Sequence, residues 1–325
     1  MIKLLLGGSP CTHWSIAQTK NRETKAEGIG WELFLNYVIA KEKFQPDYFL
    51  YENNWSASFA IKEQIQAELG CKLMRINSSL VSAQSRDRFY VFNWDIEQPK
   101  DRQICLSDIL ESGNDVCGNV RSYCLTASYG KASLRDSLRK SRRTMVAMPV
   151  RLGTIETSGV GAKTGLYAVP TESQENGTKI YTVTDGKVDI SGKLYPIRLA
   201  DGQYAIRKLT PIECERLQTM PDNYTAGVSN AQRYKCLGNG WTAEVIIHIL
   251  NGALKNVPRD EKIVVLSMYD GIATGRYCLD KMGFKNVEYH AYEIDKYAIT
   301  VAMSNYPDII QHGDAFDIRK EDWRL

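Results

Sequence analysis

The sequence predicts an α/β protein built on a Rossmann-like, mostly parallel sheet, with a smaller β-rich module set into the chain. Three observations carry this expectation. Apolar runs of strand length alternate with segments of helical spacing near both ends of the chain, and strands covered on both faces read as such continuous runs. Several of these runs end in glycines or in polar residues, as strands do where a sheet's carboxyl edge carries a site. Between about residues 99 and 206, Gly, Ser and Thr become frequent and Asp-Gly turns appear.

Taken in order, "IKLLLGG" is a buried strand ending in glycines, followed by "GWELFLNYVIAKEKF", a helix with Leu33, Phe34, Tyr37 and Val38 on one face. "PDYFLYENN" is a strand that ends polar, "SFAIKEQIQAELG" a helix with a glycine stop, and "RFYVFNW" a strand. In the middle segment "KIYTVTDGKVDI" and "KLYPIRLADGQYAI" are expected to be hairpins with Asp-Gly turns. The α/β pattern returns with "TPIECERLQTM", a helix with Thr210 as N-cap and Pro211 at its first position. "TAEVIIHILNGAL" is a long apolar helix, and "NVPRDEK" an exposed linker. "IVVLSMYDGIATGRYCLDKMGF" is a strand, a glycine turn and a helix, and "VEYHAYEID" a strand ending in acids. The expected units are therefore 1–98, 99–206 and 207–325.

At 325 residues, with 43% hydrophobic and 24% charged residues, the composition is that of a soluble globular protein. No run approaches the ~20 apolar residues that cross a bilayer, and the opening apolar run is too short for a secretion signal; a cytoplasmic protein is expected. Eight cysteines are scattered without a CxxC pair or a nearby histidine cluster, which predicts reduced thiols and no metal site. The net charge of +3 decides little, but its distribution is uneven. From Arg121 to Arg151 there are eight basic residues, among them Arg139, Lys140, Arg142 and Arg143, against one acid, Asp136. Such a block suits a polyanion such as nucleic acid, and equally a solvated basic face.

Two places carry chemistry. In "GGSPCTHWS" Cys11 follows a proline at the end of a strand, an exposed and rigid setting for a thiol. In "YDGIATG" a strand runs through Gly271 and Gly275 into a helix, with Glu293 ending the next strand, where carboxylates take ribose hydroxyls, and Asp314 ending a third. The spacing is not GxGxxG, and these features alone fit any nucleoside cofactor.

Together "GGSPC", "YENN" and "SAQSRDRFY" (Gln84, Arg86 and Arg88) resemble the DNA (cytosine-5) methyltransferase family. "RKLTPIECERLQTMPDNY", "YKCLGNGWTAEVI" and "SMYDGIATG" with "AYEID" and "GDAF" are similar to further motifs of that family. The order is shifted, with the Pro-Cys loop first and the glycine turn last. Joining the two ends reads straight through as "KEDWRLMIKLLLGGSPC", so the resemblance implies a circular permutation bridged by "NVPRDEK".

The resemblance implies the S-adenosylmethionine-dependent methyltransferase fold, with S-adenosyl-L-methionine as cofactor and double-stranded DNA as substrate. It also implies a bacterial or phage setting in which a cognate restriction endonuclease is a partner to look for. Cytosine is a poor nucleophile at C5, and a thiolate added at C6 makes it enamine-like. Cys11 is the expected nucleophile and Glu52 the acid near N3; Arg86 and Arg88 would hold the base carbonyl or a flanking phosphate. Tyr269, Asp270, Gly271, Ile272 and Thr274 would wrap the cofactor, with Glu293 on the ribose, Ile294 on the adenine face and Asp314 on the adenine amino group. Asn239, Gly240 and Trp241 would close over it. Thr12, Ser15 and the loop "AQTKNRETKAEG" would cover a flipped base, and Gln84 with Arg139, Lys140, Arg142 and Arg143 would contact DNA. Two departures stand out: Ser267 replaces an acid at the glycine motif, and Asn54 replaces a valine. His13 is expected in a packing or loop role, and His248 as a satisfied core residue. Rival readings are an RNA cytosine-5 methyltransferase, a catalytically silent DNA-binding regulator, and a nicotinamide dehydrogenase.

Overall fold

A computed structural model describes residues 1–16, 22–150 and 179–323. Residues 17–21 of the expected closing loop and Arg151 of the basic block lie outside the described residues.

The first part of the chain forms β1 (Ile2–Gly7), α1 (Ile29–Phe44), β2 (Tyr48–Asn54), α2 (Phe59–Leu69), β3 (Leu73–Asn77) and β4 (Asp87–Phe92). Strand β3 was not anticipated, because "LMRIN" is short and only its Ile76 is buried. The middle part gives β5 (Asn114–Asp115), α3 (Leu134–Lys140), β6 (Met145–Pro149), β7 (Lys179–Thr184), β8 (Lys187–Asp189), β9 (Leu194–Pro196) and β10 (Gly202–Lys208). The last part gives α4 (Pro211–Leu217), α5 (Asn230–Asn239), α6 (Ala243–Leu254), β11 (Ile263–Met268), α7 (Thr274–Lys281), β12 (Val287–Tyr292), α8 (Lys296–Asn305) and β13 (Ile310–Gln311).

The large sheet runs β13-β12-β11-β1-β2-β4-β3. It is parallel from β13 to β2, and β4 alone runs against its neighbours. Both faces are covered, which explains the unbroken apolar strands. Leu4 and Leu6 face a core shared with α4, α6 and α7, whereas Leu5 faces one with Phe34, Tyr37 and Phe44 of α1 and Ile61 and Ile65 of α2. Leu33, expected on the packing face of α1, is only half buried.

The second sheet runs β5-β6-β10-β7-β8-β9 and is antiparallel throughout. Its β7–β8 hairpin forms as the sequence predicts. The second expected hairpin does not: β9 pairs with β8 while β10 pairs with β6 and β7. Its Asp-Gly pair works elsewhere, since the Asp201 carboxylate accepts from the Asp185 and Gly186 amides and secures the first hairpin's turn. Leu106, Ile109, Leu125 and Tyr129, early in the middle segment, pack into the large sheet's core instead.

Thr210 caps α4 in a capping box with Glu213, with Pro211 at the first helical position. The same Glu213, fully buried, receives both terminal nitrogens of Arg207 at 2.7 and 2.8 Å and the Glu111 amide at 2.9 Å. One carboxylate thus joins β10, α4 and the segment before β5. Removing one partner of a buried, hydrogen-bonded ion pair leaves the other uncompensated, at a cost of about 3–5 kcal/mol. Glu213→Ala is expected to lose stability on that scale in urea unfolding, and a loss below about 1 kcal/mol contradicts this reading of the joint.

Candidate active site

The strands β1, β11 and β12 end in line, and β2 runs past them to Asn54 at the same edge. Gly7 lies opposite Tyr51 on one side and Met268 on the other, and Met268 lies opposite Tyr292. The loops after these strands therefore open on one edge, where they line a cavity of about 400 Å³. That volume suits a small-molecule ligand.

Pro10 sits at φ −51°, ψ 118°, and Cys11 opens a short 3-10 turn through His13. The loop is pinned from below by a buried polar group. Asn53 Nδ2 donates to Ser9 O at 2.9 Å and to the Tyr51 hydroxyl at 3.0 Å, and the Ser9 and Tyr51 hydroxyls lie 2.7 Å apart. Gly8 tolerates no side chain, because a Cβ there would lie 2.9 Å from Glu52 O. Burial pushes the Cys11 thiol upward; Arg88 opposes it, Glu52 adds to it, and Arg86 opposes it.

Glu52 is 9% exposed. Arg88 Nε stands 2.9 Å from its Oε1, and Trp241 Nε1 donates to its Oε2 at 3.0 Å. The carboxylate is thus held between β4 and the loop after α5, beside Cys11. Arg88 reaches it because β4 runs antiparallel to β2, with Arg88 opposite Asn54.

Two expectations need correction. The Arg86 guanidinium is not available for a base carbonyl or phosphate through its terminal nitrogens. Nη1 donates to Leu125 O at 2.8 Å, with Cys124 Sγ at 3.5 Å, and Nη2 donates to Gly238 O at 3.2 Å and Gly240 O at 2.9 Å. Arg86 borders the cavity while binding its walls together. Gln84 cannot contact DNA from its place: it is fully buried, donates to Leu217 O and Gln218 Oε1, and accepts the Leu125 amide.

The opposite wall is the turn after β11. Tyr269, Gly271 and Ala273 all adopt left-handed backbone (φ 62°, 66° and 60°), a conformation that costs non-glycine residues about 1–3 kcal/mol and persists where the surroundings enforce it. Tyr269 is held by its hydroxyl, which donates to Leu33 O at 2.7 Å. Asp270 Oδ1 accepts from Ser267 at 2.7 Å and Tyr289 at 2.6 Å, while its Oδ2 is out of solvent with no partner. Ser267, the departure from the family pattern, is thus a donor to this acid. Glu293 accepts the Gly271 amide at 2.8 Å through Oε2 and the Ile294 and Asp295 amides through Oε1. Ile294 borders the cavity with 73% of its surface exposed. Asp314 caps the turn Ala315–Arg319 and is itself exposed. Ile272, Thr274, Asn239, Gly240 and Trp241 complete the sequence-predicted residues on this lining.

Leu33, Tyr292, Ala298 and Phe316 also line the cavity and were missed. Phe316 stood in the quoted "GDAF" without a role, and the others carry apolar spacing indistinguishable from core packing. Thr12 lines the mouth, and Ser15 lies just beyond it, where Asn54 Nδ2 approaches its hydroxyl at 3.3 Å. His13 faces Glu23, which also accepts from Trp14 Nε1 and the Gly30 amide. His248 is half-buried and bonded to Glu97 O at 2.8 Å. None of the described residues of the basic block lines the cavity. Arg139 and Arg142 are exposed, Lys140 pairs with Asp136 at 3.0 Å, and Arg143 donates to Lys131 O and Ser128 Oγ. Among the described residues no cluster of His, Cys, Asp or Glu is placed to hold a metal, and no helix is long and apolar enough to cross a membrane.

A sequence model of the C-5 cytosine-specific DNA methylases matches residues 1–57 and 78–255. The orphan methyltransferase M.SPBetaI of Bacillus phage SPbeta is 39% identical over 79 residues, 22% of this chain and 16% of that protein. The type II methyltransferase M.Sau3AI of Staphylococcus aureus is 49% identical over 51 residues, 16% of this chain and 12% of that protein. These two matches thus span less than a fifth of either relative. The orphan methyltransferase M.SPRI of Bacillus phage SPR is similar over a longer reach, 24% identical over 355 aligned residues, 75% of this chain and 80% of that protein. The family match stops at residue 255, so Gly271, Glu293 and Asp314 lie outside it.

Burial raises the Asp270 carboxyl from 3.8 to about 6, opposed by the donors Ser267 and Tyr289. An acid that binds its proton more tightly when folded loses stability as pH rises from its unfolded value through its folded one. The ligand-free protein is therefore expected to lose stability between about pH 4 and 6. Asp270→Asn should flatten that part of a melting-temperature profile; parallel profiles for the two proteins would refute the assignment.

Proposed function

The chain belongs to the C-5 cytosine-specific DNA methylase family, and from that premise we propose that it methylates C5 of a cytosine flipped out of duplex DNA, with S-adenosylmethionine as donor and Cys11 as nucleophile. One observation carries the reading: a single cavity is lined both by Cys11, Glu52 and Arg88 and by Tyr269, Gly271, Glu293, Ile294 and Asp314. A thiol for the base and a nucleoside-shaped cradle share one space.

The residues present fit the cofactor. The unpartnered Asp270 Oδ2 would take a positive ammonium group, Ile294 would cover the purine, and the carboxylates of Glu293 and Asp314 would receive ribose hydroxyls and an exocyclic amine. When bound, the cofactor supplies an electrophilic methyl group on a sulfonium.

The protein's own residues do the rest. Cys11 gives up its proton to solvent and its sulfur bonds to C6 of the cytosine, as the C5–C6 π pair moves toward C5. Glu52, steadied by Arg88 and Trp241, meets the charge that builds at N3 with a proton. After methyl transfer the C5 proton passes to solvent, its electron pair re-forms the C5–C6 double bond as the Cys11 sulfur leaves as a thiolate, and N3 returns its proton to Glu52. The flipped base costs a few kcal/mol of stacking, which phosphate contacts from exposed cations such as Arg139 and Arg142 would offset. These cations, beside the second sheet, support residues 99–206 as the part that reads DNA.

The shifted motif order reads as a circular permutation within this family. Its support is the side-by-side parallel pairing of β1 with β11, which gives the same sheet whichever strand comes first.

Purified protein with labelled S-adenosylmethionine and unmethylated duplex DNA is expected to transfer methyl groups, and Cys11→Ala to abolish transfer. A 5-fluorocytosine duplex should leave a covalent adduct at residue 11. An equally active alanine variant would overturn the mechanism, and preferential methylation of tRNA in competition would overturn the DNA assignment.

A further inference from the structure

Asn36 of α1 is a polar side chain with no exposure. Its two polar atoms join parts of the chain that are far apart in sequence. Oδ1 accepts from Arg319 Nε at 2.6 Å, and Nδ2 donates to the Tyr269 hydroxyl at 3.4 Å. That hydroxyl donates in turn to Leu33 O at 2.7 Å, one turn earlier on the same helix. A guanidinium has donors and no acceptor, so the atom of Asn36 that faces Arg319 must be its oxygen, and the amide nitrogen is turned to Tyr269. A phenol has one proton, and with the amide donating to its oxygen that proton goes to Leu33 O. An exposed cation thus sets the direction of three hydrogen bonds that lead inward to the cavity wall.

Tyr269 lines the cavity from a left-handed backbone position, φ 62°, which persists only where its neighbours hold it. We propose that Arg319 and Asn36 are positioning residues for the cofactor: their chain of donors fixes the Tyr269 hydroxyl on Leu33 and so holds this side chain in one setting as a wall of the cofactor site. Without Arg319 the amide is free to turn over, its oxygen competes with Leu33 O for the Tyr269 proton, and the ring has two settings. A wall that must be ordered at each binding event weakens binding by that cost. The proposal rests on the reading of this cavity as the S-adenosylmethionine site. Arg319 is not needed to hold its own turn, because Lys43 Nζ donates to the carbonyls of Ile318, Arg319 and Glu321 at 2.9, 3.0 and 2.7 Å. Its Nη2 makes a separate, partly exposed pair with Glu32 Oε2 at 2.7 Å.

The test is calorimetric binding of S-adenosylhomocysteine to the full chain, a readout that needs no methyl transfer. Arg319→Met keeps the stem, removes the donors and should weaken binding about tenfold. In the transfer assay the KM for the methyl donor should rise by the same factor while kcat stays within about twofold. Glu32→Ala removes only the partly exposed pair and should bind within about threefold of wild type. In a Tyr269→Phe background, where no hydroxyl is left to redirect, Arg319→Met should add less than about twofold. Arg319→Met binding as tightly as wild type would overturn the proposal. So would the full loss on top of Tyr269→Phe, or an equal loss in Glu32→Ala. A wild type that binds no S-adenosylhomocysteine would overturn the cofactor reading as well, whereas equal binding by wild type and Arg319→Met overturns this proposal alone.

Discussion

The site depends on the parallel pairing of β1 between β2 and β11. Because Gly7 is level with Tyr51 and Met268, and Met268 with Tyr292, four strands release their chains at one edge of the sheet. Parallel strands must all point the same way, so every loop after a strand lands on that edge. Cys11, Glu52, Asp270 and Glu293 are distant in sequence and neighbours in space for this reason alone. A slip of one residue in any of these registers would turn each side chain to the other face and dissolve the constellation.

Within that frame, buried polar groups fix the details. The Ser9–Tyr51–Asn53 group ties the Pro-Cys loop to the strand beneath it. Arg86 joins two stretches of backbone, at Leu125 and at Gly238 with Gly240. Glu52 is caught between Arg88 and Trp241. Each group is costly to desolvate and tolerable only because its partners are in place, so loop and wall must form together. The arginine pair is therefore divided in its duties: Arg88 pairs with the acid, while Arg86 is largely architectural.

The second sheet shows how local signals can be reused. Its two Asp-Gly pairs look alike in sequence, yet only Asp185–Gly186 makes a hairpin turn. Asp201 instead accepts the amides of that turn, because β10 is pulled between β6 and β7. Turn chemistry offers a conformation, and strand pairing elsewhere decides whether it closes a hairpin.

The sequence by itself determined the layered α/β plan, the capped start of α4 and the residue types able to do the chemistry. These are written in local periodicity, in caps and in short motifs that need no distant partner. It misjudged Gln84, whose polar side chain reads as a contact residue but is fully consumed inside the core, and Arg86, whose donors are taken by carbonyls some 40 to 154 residues away. It quoted Asn53 within "YENN" without the tie that this side chain makes, and it gave no sign of Leu33 and Tyr292 as cavity walls. Only the tertiary structure decided these. Whether a buried polar atom is a reactive group or a structural tie depends on which partners the fold brings within about 3 Å, and that distance is set by strand register and packing rather than by neighbours along the chain.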